Sequence, residues 1–292
     1  MMEFLPTRLD RTIIQRSLSK QTYIDVLAPF KSLCGSYLTK ADFWSNKNMQ
    51  GADGWFLEDA IRVELRSCYS KYFVRYTLFP ARLTTPAFEA FVAKTIALGS
   101  AGYSNALAHG YLREFEIAVD FPDRHTKDYL FHRHGVRSGK HIKGNQQIAG
   151  THYQGSLSSA LQTYAYNKAE QMAEVGQVCA FENLMRIEAR FRKRTVKLGE
   201  LANLENPFCK LVVCSMQDLY QTVHPEPAIW KSFLAKATVL GVPAAMASFS
   251  PKYRQQFRAI LKQRGAPWWK PMALMKGFPE RAAEQLRLDL CN

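Results

Sequence analysis

The spacing of apolar and polar residues changes along the chain and predicts where the first elements lie. Residues 1–54 have mixed spacing and end in a polar, turn-rich stretch, 44–54, which predicts a helical N-terminal segment followed by a loop. From Ile61 to Arg66 apolar and charged residues alternate, which is typical of a half-buried strand. The β-rich stretch 72–79 continues this pattern and ends at Pro80.

The remaining elements are predicted from the alternation typical of strands and from the spacing of apolar residues typical of helices. Strands are predicted at 115–121, 161–168 and 184–193, and a β-hairpin-like segment at 148–156. Helices are predicted at 85–98, 227–240, 251–264 and 279–290. Together they predict an α+β fold with a mainly antiparallel central sheet, flanking helices and a helical C-terminal region. We divide the chain into an N-terminal helical segment, 1–54, a core, 55–206, and a helical C-terminal region, 207–292.

The amino-acid composition indicates which class of molecule the chain binds. The chain has 292 residues, 47% of them hydrophobic, and a formal net charge of +14. That apolar content supplies a core and excludes a disordered basic tail, and the charge favours a polyanionic partner, nucleic acid before an acidic membrane surface. The sequence shows neither a signal peptide nor a spanning segment, and its six cysteines form no C-x-x-C pair. We therefore expect a cytoplasmic protein with reduced thiols and no membrane partner.

Three segments carry candidate chemistry, and the first is 113–120. On a strand, Glu116 and Asp120 project from one face. Two carboxylates on an otherwise apolar strand need solvent, a partner or a metal ion. The alternatives are a metal site and the solvent side of an edge strand.

The second segment is 150–170. Tyr164, Tyr166 and Lys168 are predicted to share a strand face, and a lysine near a phenol lowers the phenol's pKa. Tyr166 is therefore a candidate covalent nucleophile, although two tyrosines in a strand are usually packing residues.

The third segment is 185–194, where apolar residues alternate with Arg186, Glu188, Arg190 and Arg192. The charged face is either an ordinary solvated surface or a phosphate-binding surface with one acidic metal ligand at its centre.

The order of these segments resembles the trans-acting replication-initiation factors of rolling-circle plasmids and filamentous phages. Four motifs carry the resemblance over about residues 55–200, namely Glu116–Asp120, the Gly-Thr-x-Tyr-x-Gly-Ser turn at Gly150–Ser156, Tyr166–Glu170 and Arg186–Glu188. Glu170 falls one position earlier than in the family pattern, and Tyr164 competes with Tyr166 for the role of nucleophile. The C-terminal third matches no motif of the family.

The resemblance implies a rolling-circle replication initiator, a site-specific nickase that cuts and rejoins origin DNA through a covalent 5′-phosphotyrosine. It makes 55–206 the nicking core and 207–292 a DNA-binding or accessory region. The implied roles are nucleophile for Tyr166, assistance for Lys168, and Mg²⁺ or Mn²⁺ binding for Glu116, Asp120 and Glu188. The implied substrate is a hairpin or single-stranded nick site, and a host helicase and a second copy of the chain are partners that the resemblance leaves open.

Basic residues outside the motifs extend the predicted DNA surface. The sequence of 252–264 predicts a basic amphipathic helix. The stretch from His125 to His141 is interpreted as a DNA-contacting or solvated loop rather than a three-histidine metal site. The predicted DNA-binding residues are Arg186, Arg190, Arg192, Lys193, Arg254, Arg258 and Lys262. Two other functions fit the same residues: a non-catalytic DNA-binding regulator, and a metal-dependent nuclease that uses water instead of tyrosine.

Overall fold

The computed structural model describes residues 4–46, 49–136, 139–142, 150–192 and 195–287. The chain forms two compact units that are each discontinuous in sequence. Unit 1 contains Met1–Thr7, Ala118–Arg190 and Glu205–Phe278, and unit 2 contains Arg8–Ile117, Phe191–Leu204 and Pro279–Asn292. The sequence pattern predicts three consecutive segments instead, because local periodicity does not reveal that a strand can begin in one unit and end in the other.

The described residues include strands in both units. In chain order they are β1 (Arg8–Leu18), β2 (Leu38–Asn46), β3 (Met49–Phe56), β4 (Ile61–Cys68), β5 (Lys71–Leu78), β6 (Tyr111–Pro122), β7 (Tyr129–Arg133), β8 (Gly139–Ile142), β9 (Thr151–Gln154), β10 (Leu161–Asn167), β11 (Leu184–Phe191), β12 (Val196–Lys197) and β13 (Leu211–Ser215).

The helices are concentrated toward the C-terminus. They are α1 (Lys20–Tyr37), α2 (Thr85–Thr95), α3 (Tyr103–His109), α4 (Lys168–Glu174), α5 (Met216–Tyr220), α6 (Pro227–Leu240), α7 (Val242–Ala247), α8 (Pro251–Gln263), α9 (Pro271–Leu274) and α10 (Phe278–Leu286). Within the described ranges, no helix combines the length and the apolar character that crossing a membrane requires.

Unit 2 is built on a sheet with the order β2-β3-β4-β5-β1-β6. The pairs β2–β3, β3–β4, β4–β5 and β1–β5 are antiparallel. Helices α1, α2 and α3 cover the apolar face, with aromatic contacts at 5.3 Å between ring centroids for Tyr23–Tyr72, Phe56–Phe91 and Tyr76–Tyr103. These contacts bury one side of the sheet, as the alternation of Ile61, Val63 and Leu65 predicts.

The other face of this sheet holds a network of charges around Glu64. Glu64 is 3% exposed. It contacts the guanidinium of Arg66, lies 3.4 Å from that of Arg75 and lies 3.8 Å from that of Arg62. Arg62 also donates to Asp53 through its Nε at 2.9 Å. The alternating arginines of β4 are therefore ion-paired to buried carboxylates.

Unit 1 contains the part of the sheet with the order β6-β11-β10-β9-β8 and a separate antiparallel pair, β7–β13. The C-terminal helices pack around an aromatic cluster in which the Phe233 and Phe257 rings are stacked at 4.3 Å. Trp230 and Leu261 are also buried in this cluster, together with Leu130 of β7. The prediction of an α+β fold with an antiparallel sheet and a helical C-terminal region is confirmed.

The N-terminal segment differs from its prediction. Residues 1–54 contain β1 as well as α1. In the stretch predicted as a loop, 44–54, residues 44–46 end β2 and residues 49–54 form most of β3, while residues 47–48 lie outside the described residues. The glycines there permit close packing rather than a turn. A side chain at Gly51 would collide with the Leu65 carbonyl, and one at Gly54 would lie 3.2 Å from the Cys34 Sγ.

Candidate active site

The candidate site lies in unit 1, where β10 and β11 place polar side chains on one face. In β11, Met185, Ile187 and Ala189 alternate with Arg186, Glu188 and Arg190. Glu188 is 2% exposed and Arg186 is 4% exposed. This face is therefore not the ordinary solvated surface that was one of the two interpretations of the segment.

Glu188 accepts hydrogen bonds from two tyrosines of β10. The Tyr166 hydroxyl donates to the Glu188 Oε1 at 2.6 Å, and the Tyr164 hydroxyl donates to the Oε2. The two tyrosines are two positions apart on a strand, so they share a face, and their rings are stacked at 6.1 Å. One carboxylate is thus positioned to take a proton from either phenol.

The two tyrosines differ in their surroundings. Tyr164 is 8% exposed and stacks on Tyr153 at 5.6 Å. Arg190 donates to the Tyr164 hydroxyl at 3.0 Å, and its guanidinium lies 5.1 Å from the centre of the ring. Tyr166 is only partly buried. Tyr166 is therefore the more accessible phenol, whereas Tyr164 is held between other side chains.

Asp120 and Arg186 form a buried ion pair. The Arg186 Nε donates to the Asp120 Oδ1 at 2.6 Å, and a terminal nitrogen donates to the Oδ2 at 2.9 Å. Another terminal nitrogen of Arg186 lies 3.8 Å from the Glu188 Oε1. Asp120, a predicted metal ligand, and Arg186, predicted to bind phosphate, thus contact each other. Their two parallel hydrogen bonds have the bidentate geometry that is typical of a carboxylate and a guanidinium.

Lys168 does not continue the strand, so the prediction that it shares a face with the tyrosines is wrong. The side chain of Asn167 accepts hydrogen bonds from the backbone N–H groups of Ala169 at 3.1 Å and of Glu170 at 3.3 Å. This cap ends β10 and starts α4 at Lys168, whose Nζ donates to Gln171 at 2.7 Å.

Glu170 pairs with a histidine that lies 45 residues earlier in the chain. The His125 Nε2 lies 2.8 Å from the Glu170 Oε1, and the His125 Nδ1 accepts from the backbone N–H of Lys127 at 3.1 Å. Neither the alternation of a strand nor the spacing of a helix predicts this pair, because His125 follows a loop and Glu170 lies in the first turn of a helix.

The glycine-rich motif forms an ordered turn after β9. Gly155 has a φ of 98°, which is the left-handed region that favours glycine. The side chain of Gln162 donates to its carbonyl at 3.1 Å, and the backbone N–H of Ser156 donates to the Ser159 hydroxyl at 3.1 Å. The turn fixes the start of β10, the strand that carries both tyrosines.

The predicted metal ligands are divided between the units. Glu188 and Asp120 lie in unit 1, and Glu116 lies in unit 2. Both oxygens of Asp120 accept from Arg186.

The predicted DNA-binding residues fall in three places. Arg186 and Arg190 lie in β11, and Arg192 follows it, while Lys193 lies outside the described residues. Arg254, Arg258 and Lys262 lie along α8, which buries Phe257 and Leu261. This confirms the prediction of a basic amphipathic helix.

Comparisons with known proteins give structural similarity without a sequence match. No protein-family model matches the chain, and a search of curated proteins gives no match. Among solved structures, the chain is similar to a rolling circle replication initiator protein from Geobacillus stearothermophilus, with a TM-score of 0.38 and 14% identity. The similarity covers 68% of this chain and 77% of that protein. We derive the function from the side chains around Glu188 rather than from this similarity.

Proposed function

We propose that this chain is a rolling-circle replication initiator that nicks and rejoins origin DNA through a 5′-phosphotyrosine intermediate. The observation that carries the proposal is the 2.6 Å hydrogen bond from the Tyr166 hydroxyl to the buried carboxylate of Glu188. A weakly acidic nucleophile needs a base within hydrogen-bond distance, and this pair meets that requirement.

The proposed cleavage step balances within the residues around Glu188 and the DNA. Glu188 takes the phenol proton while the Tyr166 oxygen attacks the phosphorus and forms a new P–O bond. The bond from phosphorus to the 3′ oxygen breaks, and that oxygen leaves as a 3′ hydroxyl by taking a proton from solvent water, to which the protonated Glu188 then returns its proton. Rejoining is the reverse step, with the 3′ hydroxyl as nucleophile and Tyr166 as leaving group. The phosphotyrosine retains the energy of the broken bond, so no nucleotide cofactor is required.

The assignment of Tyr166 rests on access. A phosphodiester has to reach the nucleophilic oxygen, and Tyr166 is partly exposed whereas Tyr164 is buried between Tyr153 and Arg190. Tyr164 and Arg190 then act as positioning residues, because Tyr164 holds the second oxygen of Glu188 and Arg190 holds Tyr164.

The carboxylates fit a divalent metal ion. Oxygen donors of this kind are the ligands that Mg²⁺ and Mn²⁺ prefer, and a bound ion polarises phosphate oxygens. Glu188, which is buried in the unit 1 site, is the ligand on which this part of the proposal rests. Glu116 and Asp120 stay predicted ligands.

The net charge of +14 and the basic side of α8 support a DNA partner. A host helicase and a homodimer stay predictions from the sequence resemblance.

The test compares Tyr166→Phe with Tyr164→Phe on supercoiled DNA that carries the gene and its flanking sequence, with Mg²⁺ or Mn²⁺ present. We expect Tyr166→Phe to lose both nicking and the covalent adduct seen after denaturing electrophoresis. We expect Tyr164→Phe, which keeps the ring and its packing, to retain the adduct at a lower rate.

Two results would replace the proposal. Nicking that survives both substitutions without an adduct would identify a nuclease that uses water. Salt-sensitive DNA binding by the unmodified chain, without nicking in either metal, would identify a non-catalytic regulator.

A further inference from the structure

The end of strand β7 and the turn after it, in unit 1, bring together two histidines that the proposed cleavage does not use. His132 is 4% exposed, and neither of its ring nitrogens has a hydrogen-bond partner among the residues that the structure describes. His134 follows two positions later, and its ring packs edge to face on that of His132 at 5.1 Å. Its Nε2 likewise has no partner in the described part of the chain. Buried nitrogens without partners are costly, so a site that leaves three of them unsatisfied points to an absent ligand.

The strand pairing explains how His132 becomes buried. His132 pairs with Val212 of β13, and Leu130, on the same face, lies in the apolar core of the C-terminal helices. The histidine therefore extends the core face of β7 toward the end of the strand. Its polar atoms are placed there by the register of the strand and are not paired by the described residues of unit 1.

Helix α8 adds positive charge to the two histidines. Arg254, Arg258 and Lys262 recur every four residues, so they form a stripe along one side of the helix. Burial, then the nearby His134 and Arg258, lowers the pKa of His132 to about 4. Burial, then Lys262 and Arg258, also lowers the pKa of His134. Both imidazoles are thus neutral at pH 7, and each has one N–H to donate.

The charges decide which class of ligand fits. A metal cation would be repelled by Arg258 and Lys262, and the carboxylate set that could hold a metal among the described residues includes neither histidine. An anion with several acceptor oxygens would accept from the imidazole N–H groups and neutralise the two cations. A phosphate group has this chemistry.

We infer that His132 of β7 and His134 just after it, with Arg258 and Lys262 of α8, bind a phosphate group of the DNA backbone. This inference rests on the proposed function for the identity of the polyanion. It adds a second contact to the DNA, made by residues other than those around Glu188. It also gives a physical reason for a polar side chain at position 132, where the core face of the strand would otherwise carry an apolar one.

The experiment measures DNA affinity by fluorescence anisotropy on labelled single-stranded and duplex oligonucleotides from the sequence flanking the gene. The variants are His132→Phe, which keeps a flat ring of similar size, and Arg258→Gln with Lys262→Gln, which alters exposed side chains. The control is Lys252→Gln, which removes one charge from the same helix but none that acts on the histidines.

We expect both variants to bind at least one oligonucleotide about tenfold more weakly, as expected for the loss of one charge-assisted hydrogen bond. The control should bind within about twofold of the unmodified chain. His132→Phe should also melt at the same or a higher temperature, because it removes unsatisfied nitrogens. A purely structural role for His132 would lower the melting temperature and leave affinity unchanged.

Unchanged affinity in the Arg258→Gln, Lys262→Gln variant would overturn the inference. So would histidine ring ¹⁵N shifts that respond to inorganic phosphate and not to the oligonucleotides, because the site would then serve free phosphate. Nicking by the unmodified chain is measured in parallel. If it nicks DNA while the variants bind normally, the inference fails alone; if it neither binds nor nicks, the proposed function fails.

Discussion

Strands β4 and β11 carry the same sequence pattern, Arg-x-Glu-x-Arg, and use it differently. Glu64 of β4 is surrounded by the guanidinium groups of Arg62, Arg66 and Arg75. Glu188 of β11 accepts from two phenols instead. The two carboxylates are equally buried, at 3% and 2% exposure, so burial does not separate them.

The neighbouring strand decides the outcome. β5 places Arg75 opposite Glu64 in the strand register, whereas β10 supplies the two tyrosines that donate to Glu188. The arginines of β11 have other acceptors, Asp120 for Arg186 and the Tyr164 hydroxyl for Arg190. An Arg-x-Glu-x-Arg strand is therefore an ion-pair network or a site for proton transfer, according to the side chains of the adjacent strand.

The largest expected difference is in catalysis. Glu188→Gln should reduce nicking by about 10³-fold, because an amide cannot take the phenol proton. Glu64→Gln, the same chemical change in the other strand, should leave the rate per folded molecule within about threefold. Single-turnover nicking assays on both variants check this. Equal losses in both would mean that the two carboxylates do not differ in role.

The second difference is in stability, where Glu64→Gln should have a larger effect than Glu188→Gln. Glu64→Gln should lower the free energy of unfolding by about 2 kcal/mol, because it leaves three partly buried guanidinium groups without their counter-charge. Glu188→Gln keeps an acceptor for the phenols and should cost about 1 kcal/mol or less. Urea unfolding followed by circular dichroism measures both. A larger loss in Glu188→Gln would show that the β11 network is mainly structural.

His132 is a third buried ionisable group, and among the described residues it has neither a guanidinium nor a phenol as hydrogen-bond partner. Its pKa of about 4 predicts a dependence of stability on pH. The unfolded chain takes up a proton near pH 6.5 and the folded chain only near pH 4. Stability is therefore complete above pH 6.5 and falls as the pH drops toward 4, by about 2 kcal/mol between pH 7 and 5. The His132→Phe variant should lack this part of the decrease. An identical pH profile in both proteins would refute the assignment.

The smallest expected effect concerns the second arginine of each pattern. Arg190→Gln should slow nicking about tenfold, since Tyr164 loses the donor that holds it beside Glu188. Arg66→Gln should leave the rate unchanged within about twofold. Rates with saturating DNA separate this positioning effect from weaker binding. If Arg190→Gln changes only the affinity, the arginine is a DNA contact and not a positioning residue.

The sequence predicts the strands and helices with clear periods better than the contacts between distant segments. The alternation in β11 identifies Glu188 as central, and proline at the start of α6 and α8 marks those helices correctly. The glycine-containing strand β3 reads as a loop because its glycines serve close packing. Local patterns do not predict that Asp120 pairs with Arg186, 66 residues away, since that contact depends on the order of strands in the sheet.

The most direct test of the central claim is to locate the DNA-linked residue. After nicking, nuclease digestion and trypsin cleavage, Tyr164 and Tyr166 lie in one peptide between Lys143 and Lys168, and tandem mass spectrometry distinguishes them. We predict a nucleotide attached to the oxygen of Tyr166 in the unmodified chain and its absence in Glu188→Gln. Nicked DNA accompanied by unmodified tyrosines throughout this peptide would contradict the account.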